Sequence, residues 1–156
     1  MRQDIFAGFF QLGYVTKDID VACKSYTKKF GVKFKVVVPD ENTPGFFPVK
    51  RMAFTRIGAT VIKIVEPHLT EDNIFSRYVV ENPRVVRLHH LGYLIEDYQK
   101  ALRKLSLLEY DIPLKETLEN GLEYFYADTR NDLGHYSEFI RLDNAGKDFL
   151  ASITSY

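Results

Sequence analysis

The sequence has no tryptophan and a single cysteine, Cys23. One thiol excludes an internal disulfide framework and any cysteine-rich zinc site, and it suits a reducing compartment. Its expected role is packing on a helix. Neither charge is in excess, with Lys plus Arg and Asp plus Glu at 21 each. Without a basic surplus no face is marked out for a phosphate backbone, so nucleic acid is not an expected partner. Long apolar runs are also missing. The opening MRQDIFAGFFQLGY is too short and too interrupted by Gln11 for a signal peptide or a membrane span, which gives the expectation of a cytoplasmic protein without a membrane partner. No P-loop, G-x-S-x-G, HExxH or dinucleotide fingerprint occurs, so nucleotide binding, serine hydrolysis and hydride transfer have no support.

What the chain does have is aromatic mass, with 12 Phe and 10 Tyr in 156 residues, and an ordinary 46% hydrophobic content. That length suits one compact domain, or two small units sharing a core. The aromatics serve a small core and also suit a pocket for an apolar or aromatic ligand.

The strongest pattern is a repeat. QLGY at 11–14 returns as HLGY at 90–93, half a chain later, and each copy is followed by an Asp, Asp18 and Asp97. Around the first copy, FFQLGYVT reads as a strand with Gln11, Gly13 and Val15 on one face. KDIDVACKSYTKKF then spaces Ile19, Ala22, Cys23, Tyr26 and Phe30 as a helix, capped by Asp18 and ended at Gly31. VKFKVVV, VKRMAFTRI and ATVIKIVEP follow as strands. The second half repeats the series with RLHHLGYLI, the helix EDYQKALRKLSL, LEYDIPL, a turn at Asn120 and Gly121, LEYFYADTR and GHYSEFIRL. EDNIFSRYVVENP between the halves predicts a linking helix over about 71–82, stopped by Pro83.

The predicted class is therefore α+β, with two βαβββ modules over about 8–67 and 85–143 in a single domain. Each module has one apolar sheet face that it cannot cover alone, so the copies are expected to pair as a curved half-barrel around a central cavity.

The repeat also says which residues correspond. Gln11 matches His90, and alignment of the closing strands sets Lys63 against Glu138. Inward polar side chains on apolar strands are costly unless they meet one another or a ligand. Alternation in HYSEFIRL puts Tyr136, Glu138 and Ile140 on one face. Lys63 faces inward if Val61 and Val65 do, although Ile62 and Ile64 compete for that face, and Glu66 reads as rim or surface. Arg130, at a hairpin end, is a candidate clamp for an acidic ligand, with His135 beside it. Tyr14, Tyr93, Tyr124 and Tyr126 read as core or pocket lining.

QLGYVTKDIDVACKSYTKKFGVKF, LHHLGYLIED and YADTRNDLGHYSEFI together resemble the vicinal oxygen chelate superfamily of glyoxalases, epimerases, extradiol dioxygenases and bleomycin-resistance proteins. The resemblance spans nearly the whole chain. It implies that Gln11, His90 and Glu138 stand at three positions where metal-binding members carry ligands, for zinc, nickel, manganese or iron. Lys63 stands at the fourth, where a cation departs from the pattern. Either a metal sits on the other three residues, or the Lys63 ammonium takes its place without metal, and the second arrangement is favoured because a built-in charge removes the need for a bound one.

The implied function is a glyoxalase-like isomerase or lyase that stabilises an enolate, with Glu138 and Lys63 catalytic and Arg130, Tyr126 and Tyr93 holding the small-molecule substrate. The alternative is a binding protein that sequesters an apolar or aromatic metabolite. Ring cleavage by iron is not expected, because only one His stands at the ligand positions. The resemblance also implies a homodimer, with NAGKDFLASITSY forming a short helix over the partner or the pocket.

Overall fold

The computed structural model describes residues 4–39, 48–118 and 121–153. Its elements run β1 (Phe9–Val15), α1 (Ile19–Phe30), β2 (Lys35–Val37), β3 (Val49–Ile57), β4 (Thr60–Pro67), β5 (Arg87–Leu94), α2 (Tyr98–Leu107), β6 (Leu114–Thr117), β7 (Glu123–Ala127), α3 (Arg130–Leu133), β8 (Tyr136–Arg141) and α4 (Asn144–Ser152). The βαβββ order occurs twice. The chain divides into two compact units, and the division falls inside the first strand of each module. One unit holds Leu12–His89 with the tail from Ser152, and the other holds the residues up to Gln11 with His90–Ala151. Gln11 is thus grouped with the second half of the chain.

In the unit built on Leu12–His89 the strand order is β2-β3-β4-β1. The β3–β4 hairpin closes with Ile57 opposite Thr60, around Gly58 at φ 59°. Asp18 begins α1 by accepting the amides of Asp20 and Val21. Gly31, at φ 72°, ends it with its N–H on the Thr27 carbonyl. The helix buries Ile19 and Ala22, and Ile19 packs on Ala53 and Ile64, with Cys23 at the margin. Burial, more than the nearby Asp20, pushes the Cys23 thiol up to about 11, which keeps it an inert packing group.

Glu66 corrects an expectation. It is buried, not at a rim, and Arg51 grips it through Nε at 2.6 Å and Nη2 at 2.9 Å while reaching Asp20 at 2.8 Å. The bidentate pair offsets the cost of burying the carboxylate and ties the start of α1 to the hairpin.

The predicted linking helix over 71–82 is also corrected, since only Ser76–Tyr78 form a single 3₁₀ turn. The Asn73 side chain explains the loss. It accepts the amides of Phe75 and Ser76 and donates to the His68 and Glu71 carbonyls, giving the backbone local partners in place of helical ones.

In the other unit β5, β8, β7 and β6 lie side by side, with β5 and β8 parallel and the remaining pairs antiparallel. Asp97 caps α2 by accepting the Lys100 amide at 3.0 Å. Tyr98, Ala101 and Leu105 recur at helical spacing and bury against Tyr93, Phe125, Ala127 and Phe139. The rings form a run, with Tyr93 stacked on Phe139 at 5.3 Å and Phe139 on Phe125 at 5.1 Å. Burial of this cluster stabilises the unit by about 25 cal/mol for each Å² of apolar surface removed from water.

The strand predicted across LEYDIPL begins only at Leu114. Glu109 turns the chain at φ 66°, and Pro113 has no amide to give a ladder. Asn120, half of the predicted turn, lies outside the described residues, and Gly121 turns at φ 96°. The predicted tail helix is α4, where Asp143 accepts the Gly146 amide at 2.7 Å. Among the described residues no helix is long and apolar enough to cross a membrane.

Candidate functional site

Strand register assembles the site. On parallel β5 and β8, His90 lies opposite Tyr136 and Gly92 opposite Glu138; across the β7–β8 ladder, Tyr126 lies opposite Glu138. Opposed residues share a face, so His90, Gly92, Tyr126, Tyr136 and Glu138 all point away from the face that carries α2. Glu138 is only 2% exposed, and Gln11 and His90 are buried with it.

A buried carboxylate must be compensated. Gln11 Nε2 donates to Glu138 Oε1 at 2.9 Å. The Tyr126 hydroxyl is hydrogen-bonded to the same carboxylate; burial first, then the charge of Glu138 and this bond, hold the phenol well above the usual tyrosine range. Burial, followed by the charge of Glu138, raises Tyr124 as well. His90 sets its ring edge-on to Tyr126 at 5.1 Å, and its Nε2 stands 3.9 Å from Glu138 Oε1, longer than a hydrogen bond.

The close approach of Gln11 to Glu138 depends on a missing side chain. A Cβ at Gly92 would fall 2.9 Å from Gln11 Nε2, 3.0 Å from Gln11 Cβ and 3.4 Å from Glu138 Oε1. Gly92 was not singled out from the sequence, although the glycine kept in both QLGY and HLGY was a signal for it.

The other candidates stand elsewhere. Tyr93 is a correction, because it lies on the α2 face, inside the aromatic cluster, and does not share the face of Glu138. Arg130 closes on its own neighbour, with Nε and Nη2 each 2.8 Å from an Asp128 oxygen and its guanidinium 4.7 Å over the Tyr136 ring. That clamp lowers the Asp128 pKa, the hydrogen bonds being the main cause. His135 directs Nδ1 to the Tyr136 carbonyl. Lys63 belongs to the other unit. It is 9% exposed, lies opposite Phe54 in the ladder, and shares its strand face with Val61 and Val65, while Ile64 turns to α1.

The expected metal ligands do not fit a cation as they are arranged. A ligand set must aim lone pairs at one point. Gln11 instead aims an N–H at Glu138, and Tyr126 donates a second hydrogen bond to it. Among the described residues, His, Cys, Asp and Glu side chains alone form no group of three or more that could hold a metal ion.

The family model for the Glyoxalase/Bleomycin resistance protein/Dioxygenase superfamily matches residues 10–121. The chain belongs to this superfamily. Solved structures agree on the superfamily fold. Methylmalonyl-CoA epimerase from Mycobacterium tuberculosis superposes with a TM-score of 0.67 at 15% identity, covering 97% of each chain. A single-residue variant of the Streptomyces coelicolor methylmalonyl-CoA epimerase, in complex with 2-nitronate-propionyl-CoA, gives 0.63 at 15% identity, over 87% of this chain and 97% of its own. A hypothetical protein from Bacillus halodurans C-125 gives 0.63 at 17% identity, over 87% and 94%. Such identities establish the shared superfamily fold of two paired βαβββ modules and carry no activity with them. No curated protein matches the chain by sequence.

Proposed function

We propose that the protein is a small-molecule isomerase or lyase that moves a proton next to a carbonyl through an enolate-type intermediate, with Glu138 as the base. The supporting observation is the carboxylate itself: Glu138 is buried, fixed by Gln11 and Tyr126 on separate strands, and faces away from the packed helix. A base held this way keeps its lone pairs aimed without reorganisation during the reaction. In this reading the α-proton passes to Glu138. The second amide N–H of Gln11 and the His90 ring stand beside it to serve the developing oxyanion, and the returned proton comes back from Glu138. The protein acts as a homodimer.

Acyl-CoA thioesters are the first substrates to test, since solved superfamily structures hold methylmalonyl-CoA or 2-nitronate-propionyl-CoA. The test is exchange of the α-proton for deuterium, followed by NMR in D₂O across short acyl-CoA thioesters and 2-hydroxy ketones. Exchange should occur with at least one compound and fall by about a hundredfold or more in Glu138→Gln, the range expected for loss of a general base.

A second reading, sequestration of an aromatic metabolite, is favoured by the three tyrosines, Tyr124, Tyr126 and Tyr136, that share the face of Glu138. It calls for saturable binding of an aromatic compound that survives Glu138→Gln, with no exchange in any substrate.

A further inference from the structure

We infer that Gln11 is a latch on Glu138 that competes with cations, so that this chain's site binds divalent metal weakly although it retains three side chains of ligand type. The inference goes beyond the proposed reaction and is independent of its substrate.

Three observations carry it. The first is direction: Gln11 offers Glu138 a hydrogen at 2.9 Å, and a metal would require the amide to present oxygen instead. The second is occupancy. Tyr126, opposite Glu138 in the ladder, donates to the same carboxylate, so two of its acceptor sites are already taken by neutral groups of the chain. The third is room. The Gln11 side chain lies in the space left by the absent Gly92 Cβ, within 3.0 Å of where that atom would be. The glycine thus lets the amide reach Glu138, and the hydrogen bond has a place built for it.

A cation seated on Glu138 and His90 has to displace this arrangement. Each hydrogen bond to a charged group that is lost lowers affinity by about tenfold to a hundredfold. The chain's own donors thus satisfy Glu138 in the way a metal ion satisfies a ligand carboxylate, and they do so without needing the ion.

The experiment is equilibrium dialysis of the chelator-treated full chain against Co²⁺, Ni²⁺, Zn²⁺ and Mn²⁺, with the visible absorption of Co²⁺ as the signature of ligation. Wild type should retain no stoichiometric metal at low-micromolar concentration, and its melting temperature should be the same with and without chelator. Gln11→His, which replaces the latch with an imidazole lone pair, should bind Co²⁺ at least about tenfold more tightly. Gln11→Glu is the second variant should the histidine disturb folding, with circular dichroism confirming the fold of each. The inference is overturned if wild type binds one metal per chain tightly and Glu138→Gln abolishes it. It is equally overturned if folded Gln11→His and Gln11→Glu bind no better than wild type. Because no substrate is involved, failure of the proton-transfer proposal leaves this result standing, and the reverse holds too.

Discussion

Gly92 lies directly opposite Glu138 on the neighbouring parallel strand, and the methyl group it lacks would sit 2.9 Å from the amide nitrogen that Glu138 binds. The site is thus shaped by an absent side chain as much as by the polar groups present. Gly92→Ala should push Gln11 off Glu138 and destabilise the fold by about 1–3 kcal/mol, the usual cost of overpacking. Urea denaturation measures it. Combining Gly92→Ala with Gln11→Ala should recover part of the loss, because the two residues compete for one space; strictly additive effects would show that they do not.

Thr55 offers a test of the opposite sign. Its hydroxyl, buried at 2% exposure on β3, has no hydrogen-bond partner among the described residues. Thr55→Val keeps the shape and removes the unmet polar group, so stability should rise by about 1 kcal/mol. Thermal melts should move up by roughly 2–4 °C for a chain of this size. A lower melting temperature would mean that the hydroxyl is satisfied in solution.

Glu109, which follows α2, holds φ at 66°, a region costly for any residue with a Cβ. Glu109→Gly should stabilise the protein by about 0.5–1 kcal/mol, since glycine adopts this backbone freely. The same change at an ordinary helical position would destabilise, and for that reason Lys104→Gly is the control in the same denaturation series.

The Arg130–Asp128 clamp sets a pH dependence. Asp128 has its pKa lowered below the ordinary 3.8 in the folded protein, chiefly by its hydrogen bonds from Arg130. A depressed folded-state pKa means that the contribution is fully present above the unfolded value and is lost as pH falls through the folded one. Arg130→Gln should therefore be less stable than wild type by a constant margin near neutrality. The margin should shrink as pH falls from about 3.8, where the unfolded chain takes up this proton, through the lower folded value of Asp128. A difference that persists unchanged in acid would assign the effect of Arg130 to its packing on Tyr136.

The sequence carried the repeat, and with it the order of elements, because period-two alternation and the Asp18 and Gly31 caps are local signals that need no knowledge of the partner strand. It also carried the place of Gln11, His90 and Glu138 through their equivalent positions. It did not carry what depends on register. Tyr93 and Tyr126 look alike in the chain, and only the pairing of β7 with β8 sends Tyr126 to Glu138, while Tyr93 faces α2. Glu66 read as surface because its Arg51 partner lies across a hairpin, and the 71–82 helix failed because Asn73 supplies side-chain bonds that a hydrophobic pattern does not reveal. The same holds for Gln11 as a donor in place of a ligand, since residue type alone does not say which end of an amide faces the carboxylate.

The bond from Gln11 to Glu138 joins residues 127 positions apart. Contacts of such long sequence separation require most of the chain to be in place before they reward the closure, so they form late. During synthesis, Gln11 emerges early and has to wait for β8 before it meets its carboxylate. A nascent chain carrying all of Leu12–His89 would hold Gln11 but neither His90 nor Glu138. In the proposed reaction the base therefore comes with β8, and a chain interrupted before Glu138 lacks it.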